Sequence, residues 1–316
     1  MRVSFVIPCY NSQNSIQNIV ERIDRTFISA FADFEHEVIL INDCSSDKTL
    51  EVISQICVQS PHVKAISFAK NFGQHSALMA GLRVCKGDIV ICLDDDGQTL
   101  PEEAPKLINK LLDGDHDIVF ARYAQKKHNM FRNLSSRLNS WMIHKFLGKP
   151  KDLYLSSYMA IRAFIVKEVI RYQNPYPYMA GLLLRSTSSI VNVDVAHHNR
   201  EDGKSGYTVS KLVKLWLNGV TSFSVKPLRI AMFIGVFMAI MGFVAVIIIF
   251  ANKLIHPDVA LGWSSIMAAM FFLGGIILIV LGMIGEYIGR IFISLNKSPQ
   301  YVIGKLVNVE EDEDRE

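Results

Sequence analysis

The chain has 316 residues, half of them hydrophobic, and a formal net charge of +3. That length allows one large domain or two, and a charge so close to neutral gives no reason to expect a nucleic-acid partner. The hydrophobic fraction is high for a soluble protein, and the excess is concentrated near the C-terminus.

The first part of the chain predicts strands that alternate with helices. Val3 to Ile7 predicts a strand that Pro8 stops, and Asn11 and Ser12 offer the N-cap of a helix through residue 23. The pattern continues with strand 37–41, helix 49–59, strand 63–68, helix 76–85, strand 89–93, a helix beginning at Pro101 and strand 117–121. This alternation indicates a doubly wound α/β domain with a mostly parallel sheet.

Three carboxylates, Asp94, Asp95 and Asp96, directly follow the apolar strand at 89–93. The carboxyl end of a parallel strand is the edge where open α/β sheets bind ligands. Crowded carboxylates repel one another unless a cation neutralises them, and the oxygens of Asp94, Asp96 and Gln98 suit Mg²⁺ or Mn²⁺. An acidic surface turn is the alternative on local grounds. No G-x-G-x-x-G or complete Walker loop occurs, so we expect the metal to hold a nucleotide diphosphate here.

Two long uncharged stretches, 230–251 and 259–285, lie near the C-terminus. Each exceeds the roughly 20 residues that cross a bilayer, although buried core helices would show the same pattern. The connection at 252–258 is short, which predicts a transmembrane hairpin. Lysines and arginines on both outer flanks place those flanks in the cytoplasm. The apolar run at the N-terminus is too short for a signal peptide, so we expect the first two-thirds of the chain to stay in the cytoplasm.

The whole chain is predicted to divide into six segments. They are a catalytic domain at 1–206, an interfacial amphipathic helix and linker at 207–229, the spans at 230–251 and 259–285 with the loop 252–258 between them, and a cytoplasmic tail at 286–316 with an acidic, disordered end. An ordinary surface helix is the alternative for the amphipathic segment.

Four short segments together resemble the family-2 glycosyltransferases of GT-A fold: Ile7-Pro8-Cys9-Tyr10-Asn11, Asn42-Asp43-Cys44-Ser45-Ser46-Asp47, Lys70-Asn71-Phe72-Gly73-Gln74 and Leu93-Asp94-Asp95-Asp96-Gly97-Gln98. The segment at 200–207, followed by 223–229 and two predicted spans, is similar to the branch of dolichol-phosphate mannose synthases and bacterial undecaprenyl-phosphate sugar transferases. The resemblance covers nearly the whole chain. It implies a Rossmann-like GT-A catalytic domain followed by a two-helix transmembrane hairpin.

The resemblance also implies a function. A membrane-bound inverting glycosyltransferase of this branch moves a sugar from a UDP- or GDP-sugar to a polyprenyl phosphate, undecaprenyl or dolichyl, on the cytoplasmic face of the inner or plasma membrane. The lipid-linked sugar then serves cell-envelope glycan modification. Two other functions stay open: a processive polysaccharide synthase, although no tryptophan here follows an arginine as that group's Gln-x-x-Arg-Trp motif requires, and a non-catalytic membrane scaffold. A homo-oligomer is also left open.

The resemblance assigns residues to the donor site. It implies that the nucleotide sugar is bound by Pro8, Tyr10, Asn11, Asp43, Asp94 and Asp95. It also implies that the metal is coordinated by Asp94, Asp96 and Gln98, and that Asp96 is catalytic. A plain core aromatic is the alternative for Tyr10, and a helix-capping aspartate is the alternative for Asp43.

The acceptor phosphate needs cationic and neutral donors near the membrane surface. Just upstream of the amphipathic segment the chain offers Arg200, counted as catalytic, and Lys204, with Ser205 and Tyr207 as neutral donors. A solvated loop, in which Arg200 and Lys204 pair with the acids between them, is the alternative.

The chain departs from the family pattern in two places. Thr99 stands where many relatives have a further aspartate. Residues 155–162 stand where relatives have a Gly-Asp-Phe-Arg-like segment, and neither the acid nor the arginine of that segment is matched. Arg162 is the arginine at a neighbouring position that could substitute for it. Since that segment can shape the sugar site, the donor sugar does not follow from the resemblance.

Overall fold

A computed structural model describes residues 1–114, 116–123, 148–196, 226–255, 262–296 and 298–309. The chain divides into two compact units. The first, here called the sheet unit, comprises Met1–Trp216 and Lys297–Glu316, and the second, the helical unit, comprises Leu217–Asn296.

The described part of the sheet unit contains one eight-stranded sheet in the order β7-β5-β6-β4-β1-β2-β3-β8. The strands are β1 Arg2–Cys9, β2 Glu35–Asn42, β3 Val63–Phe68, β4 Ile89–Cys92, β5 Ile118–Tyr123, β6 Met159–Arg162, β7 Ile190–Val195 and β8 Ile303–Val307. The helices are α1 Ile16–Ala30, α2 Thr49–Gln59, α3 Gln74–Val84, α4 Ala104–Leu112 after a 3₁₀ turn at Pro101–Glu103, α5 Ala163–Ile170 and α6 Met179–Ser186.

The predicted α/β class with a mostly parallel sheet is confirmed. Strands β1 to β4 run parallel, as do β5 and β7, whereas β6 and β8 are antiparallel to their neighbours. The central strands are almost wholly apolar because helices cover both faces of such a sheet. Helix α1, for example, buries Ile16, Ile19, Val20, Ile23 and Phe27, the spacing of a single helical face.

Pro8 does not stop β1, contrary to the prediction; the strand runs on to Cys9 with Pro8 in register with Ile41. The carbonyl of Val6 accepts the N–H of Leu93 at 3.3 Å, so Pro8, two residues on, turns its nitrogen toward the same side. Pairing with β4 has already ended at Cys92. The missing N–H of proline therefore costs the sheet no hydrogen bond.

Asn11 and Ser12 do not cap α1 with their side chains, which corrects a second prediction. The N-cap position is Ser15, which makes no side-chain cap bond, and the carbonyl of Ser12 accepts the N–H groups of Ser15 and Ile16 at 3.1 Å each. The side chains of Asn11 and Ser12 instead bind neighbouring loops, because the β1–α1 loop lies against the ends of two other strands.

The segment after the last long helix returns to the sheet. Strand β8 pairs antiparallel with β3, and the side-chain amide of Asn308 donates to the carbonyls of Cys57 at 2.7 Å and Val63 at 2.9 Å. The sheet unit is therefore discontinuous in sequence. The predicted division ends the catalytic domain at residue 206 and makes 286–316 a separate tail, so it leaves β8 out of the sheet. The acidic end at 310–316 lies outside the described residues.

The described part of the helical unit contains two long helices that contact each other, α7 Lys226–Ile255 and α8 Trp263–Leu295. Large apolar side chains such as Phe237, Ile248 and Leu278 are exposed on them. Among the described residues, Phe272–Leu295 is long and apolar enough to span a membrane, with a mean hydropathy of 2.1, and Ala231–Val244 is a shorter apolar stretch. Helix α7 continues to Ile255, into the predicted loop at 252–258, whose remainder lies outside the described residues.

Candidate active site

The loops that follow β1, β2, β3 and β4 meet at the carboxyl edge of the sheet. The four strands are parallel neighbours in the order β4-β1-β2-β3, so their carboxyl ends lie side by side. Hydrogen bonds between these loops then bring together the motifs that the sequence separates by tens of residues.

Asp94 lies at this edge, two residues beyond the end of β4. Its Oδ1 accepts a hydrogen bond from Gln74 Nε2 at 2.7 Å, and its Oδ2 accepts one from Ser157 Oγ. Burial, together with the nearby carboxylates Asp96 and Asp95, raises the pKa of Asp94 to about 6, although the hydrogen bonds from Ser157 and Gln74 lower it. A carboxylate with neutral donors and anionic neighbours is a site at which a bound cation is strongly favoured.

Asp95 points to the β1–α1 loop. Its Oδ2 accepts the backbone N–H of Tyr10 at 2.9 Å and the hydroxyl of Ser12, while its carbonyl accepts Ser15 Oγ at 2.6 Å. Burial raises the pKa of Asp95, and the hydrogen bonds from Ser12 and Tyr10 oppose that rise. These contacts fasten the acidic loop to the loop that carries Tyr10. A direct contact of Asp95 with the donor stays a prediction.

Asp96 and Gln98 flank a tight turn. The N–H of Gln98 donates to Asp96 Oδ1 at 3.1 Å, and Gly97 between them has a φ of 71°, which glycine adopts at little cost. Both side chains are partly exposed, as is that of Asp94. The turn therefore gathers carboxylate and amide oxygens in one short, solvent-accessible stretch, which is the ligand chemistry of Mg²⁺ and Mn²⁺.

Asp43 binds the loop before α3. Its Oδ1 accepts the N–H of Phe72 at 2.7 Å, and its Oδ2 accepts that of Gly73 at 2.8 Å. It does not cap α2, where Asp47 Oδ1 accepts the N–H of Thr49 at 3.0 Å, so the simple capping alternative is excluded. Asp43 is only 4% exposed, and burial raises its pKa. Recognition of a base N–H by Asp43 stays a prediction, and it would use the second lone pair of a carboxylate oxygen.

Tyr10 is 54% exposed, which excludes a core aromatic and leaves its ring available to a ligand. Asn11 adopts a left-handed backbone with φ of 56°, and its Oδ1 accepts the N–H of Ser46 at 2.9 Å. Pro8 is buried within β1. The structure thus places Tyr10 on the surface of the edge, whereas Asn11 joins two of its loops and Pro8 supports them from the sheet.

Two residues at the site were not identified from the sequence: Gln74 and Ser157, the side-chain donors to Asp94. Gln74 belongs to one of the four family-like segments, and Ser157 lies where residues 155–162 depart from the family pattern. Arg162 does not take part, because its guanidinium donates to the carbonyls of Leu111, Gly114 and His116. Arg200, Lys204, Ser205 and Tyr207, with the amphipathic segment after them, lie outside the described residues.

Comparison with protein families gives two matches along the chain. Residues 4–170 match Glycosyl transferase family 2, and residues 226–291 match the GtrB C-terminal hairpin. Similar curated proteins are named undecaprenyl-phosphate 4-deoxy-4-formamido-L-arabinose transferase. The protein of that name from Photorhabdus laumondii is 34% identical over 97% of this chain and 94% of its own length, and the one from Proteus mirabilis is 33% identical over 98% and 94%.

Solved structures confirm the GT-A type of fold. Glucosyl-3-phosphoglycerate synthase from Mycobacterium tuberculosis, in its complex with UDP, aligns over 70% of this chain and 78% of its own with a TM-score of 0.53 and 17% identity. A structure of the same synthase with Mn²⁺, UDP-glucose and phosphoglyceric acid aligns with a TM-score of 0.53 at 18% identity, over the same 70% and 78%.

Proposed function

The chain belongs to glycosyl transferase family 2 and is a glycosyltransferase, and we propose that it moves a sugar, with inversion, from a nucleoside diphosphate sugar to a polyprenyl phosphate. The cluster of Asp94, Asp96 and Gln98 at the carboxyl edge of the sheet carries this proposal. The relatives named as undecaprenyl-phosphate sugar transferases support the choice of acceptor, since they match almost the whole chain.

The acidic cluster fits a divalent cation. Two neutral groups, the Gln74 amide and the Ser157 hydroxyl, donate hydrogen bonds to Asp94, and its raised pKa reflects both burial and the charge of adjacent carboxylates. We propose that Asp94, Asp96 and Gln98 hold Mg²⁺ or Mn²⁺, which when bound neutralises the diphosphate of the donor. The mycobacterial synthase, whose structure contains Mn²⁺ and UDP-glucose, has the same fold.

The chain's own residues position the two substrates. The exposed ring of Tyr10 is available to stack on the nucleotide base, and Asn11 and Asp43 hold the loops on either side of it. The acceptor phosphate has a second pKa of about 6, so at neutral pH it is largely a dianion and needs no side chain to remove a proton. The remaining task is to bring two anions together. We assign it to Arg200 and Lys204, assisted by Ser205 and Tyr207.

Chain connectivity supports a membrane hairpin. Residues before α7 and after α8 belong to the same sheet, because β8 pairs with β3, and the ring of Tyr301 stacks on Phe68 at a centroid distance of 5.0 Å. A single crossing would place β8 and β3 on opposite sides of the bilayer. We therefore propose that the segment between them crosses twice, in the inner or plasma membrane, with the sheet unit in the cytoplasm.

Topology can be tested with cysteine labelling. Cys44 in the sheet unit is exposed and reports its side of the membrane. With Cys44→Ser as background, a cysteine replacing Asp258 should react from the side opposite to Cys44 of the wild type. Labelling of both from the same side would contradict the double crossing.

The activity is tested by incubating the purified protein with a panel of UDP- and GDP-sugars and undecaprenyl phosphate, and weighing the lipid product. We expect one sugar per lipid, with UDP-4-deoxy-4-formamido-L-arabinose the first donor to test because of the relatives' name. Asp96→Asn should abolish the product. Asp33→Asn should not, because Asp33 is an exposed aspartate between α1 and β2, distant in sequence from the acidic loop. A polymeric product would support a processive synthase, and no turnover with any donor would favour a non-catalytic scaffold.

A further inference from the structure

We propose that Asp24, His36 and His62 form a second metal site, for a zinc-class transition-metal ion, at the amino edge of the sheet. The carboxylate of Asp24 lies on α1, His36 is the second residue of β2, and His62 directly precedes β3. His36 and Asn42 are six positions apart along β2, about 20 Å of extended strand, so this cluster is well separated from the acidic loop.

The three side chains converge on one point. Asp24 Oδ1 lies 2.8 Å from His36 Nε2 and 3.0 Å from His62 Nε2, and the ligand atoms all lie within 4.8 Å of one another. Ligand atoms around a tetrahedral zinc ion are about 3.3 Å apart, given bonds of about 2.0 Å to nitrogen and oxygen. The ligand atoms therefore need only small side-chain movements to accommodate an ion.

Regular structure and aromatic packing hold the ligands in place. The carbonyl of His62 accepts the N–H of Val38 at 3.1 Å, which ties the residue before β3 to β2. The ring of His36 packs on Phe27 at a centroid distance of 4.7 Å and edge-on to His62 at 4.8 Å. Ligands on rigid elements with restricted rings form a more precise site than ligands on loops.

The ligand set selects a different metal from that of the acidic loop. Two imidazole nitrogens and one carboxylate suit Zn²⁺, Co²⁺ or Ni²⁺, whereas Mg²⁺ prefers oxygen alone. The side chain of His62 is 34% exposed and that of Asp24 is 26% exposed, so an ion can enter and water can complete its coordination. Each neutral imidazole would bind through Nε2 and carry its proton on Nδ1.

The same contacts could serve only as hydrogen bonds that fasten α1 to the sheet. Although burial opposes it, hydrogen bonds from the two histidines hold the pKa of Asp24 well below its usual range, so the cluster is stable without an ion. The two roles are separated by His62→Gln. Glutamine can still donate a hydrogen bond from its side-chain nitrogen to Asp24, but its amide is a poor zinc ligand.

The test uses the full-length protein in detergent, with Co²⁺ as an optical probe and Zn²⁺ as a competitor. We expect one Co²⁺ per chain with the visible absorption of a four- or five-coordinate ion, displaced by Zn²⁺ and distinct from any Co²⁺ that the oxygen ligands of the acidic loop bind. Affinity should fall at least tenfold in His62→Gln and His36→Gln. It should stay unchanged in Asp96→Asn, which alters only the acidic loop, and in Asp33→Asn.

Thermal unfolding completes the test. Saturating Zn²⁺ should raise the Tm of the wild type and of Asp96→Asn but not that of His62→Gln, because only a ligand bound to the folded state stabilises it. The proposal is overturned if the wild type binds no stoichiometric Co²⁺, or if His62→Gln binds it as tightly as the wild type. Neither result depends on sugar transfer, so the site and the proposed activity fail or stand separately.

Discussion

Each edge of the parallel sheet carries a partly buried aspartate, and the pKa values of the two aspartates are shifted in opposite directions. At the carboxyl edge Asp94 receives hydrogen bonds from the neutral Gln74 and Ser157, stands beside other carboxylates, and has its pKa raised to about 6. At the amino edge Asp24 accepts hydrogen bonds from the imidazoles of His36 and His62, which lower its pKa. Burial disfavours the charge of both residues, so their partners decide the difference.

The comparison shows how a carboxylate whose charge is compensated by histidines of the chain itself differs from one that lies beside other carboxylates. Asp24 finds its compensating groups within the chain, whereas Asp94 gathers further negative charge around itself. Keeping Asp94 ionised at neutral pH costs folding free energy. A fold retains such a cost where an external cation removes it during function.

The largest expected effect is the loss of activity in Asp96→Asn. If the acidic edge holds the metal, removing one carboxylate should lower kcat/KM by at least 100-fold, about 3 kcal/mol of transition-state stabilisation, while Tm does not fall, because the charge of Asp96 disfavours ionised Asp94. EDTA should inactivate the wild type until Mg²⁺ or Mn²⁺ is restored. Sugar transfer at an undiminished rate in EDTA would show that the carboxyl edge does not need a metal ion for activity.

The next largest expected effect concerns His75, at the carboxyl edge, and the dependence of stability on pH. Burial lowers the pKa of His75 to about 4, and its Nδ1 lacks a hydrogen-bond partner among the described residues. The unfolded chain takes up a proton near pH 6.5 and the folded chain only near pH 4, so stability should fall as the pH drops through that interval. The fall should reach at most about 3 kcal/mol.

The measurement is denaturant unfolding of the wild type and His75→Phe between pH 7 and 4. The variant should lose this part of the pH dependence, since the phenyl ring keeps the edge-on packing against Tyr178 but cannot titrate. Parallel pH curves for the two proteins would show that His75 does not remain neutral in the folded state.

A third change tests whether Asp95 serves structure more than chemistry. Asp95→Asn weakens the bonds to the Tyr10 N–H and the Ser12 hydroxyl, so the free energy of unfolding should fall by about 1–3 kcal/mol. Asp96→Asn should not lower the free energy of unfolding. The two variants are compared by denaturant unfolding and by initial rates. Equal stability for both would assign Asp95 to the ligand-binding group instead.

The smallest expected effect is that of Ser157→Ala. Removing the hydroxyl that donates to Asp94 should disfavour its ionised form and raise the metal concentration at half-maximal activity by about threefold to tenfold, or about 1 kcal/mol. Ser157→Thr keeps the hydroxyl and should restore most of the affinity. An unchanged metal requirement in Ser157→Ala would show that this contact has no part in metal binding.

Sequence alone was sufficient for features that depend on local pattern. Apolar runs with helical or strand periodicity predicted the elements of the first 123 residues, and the bounds at 49–59 and 63–68 agree with the structure. The acids after β4 were located at the carboxyl edge because parallel strands end together. The motif resemblance identified the family, since the order and spacing of short motifs are properties of the sequence.

Only the tertiary structure decided which residues meet. Ser157 lies 63 residues from Asp94, and His62 lies 38 residues from Asp24, and no local pattern predicts such pairs. Strand β8 carries little of the apolar alternation that marks a strand, because it lies at the sheet edge with much of its surface exposed. Pro8 remains in β1 because β4 ends before it. In each case the deciding quantity is a hydrogen bond or a burial that exists only after distant segments have packed together.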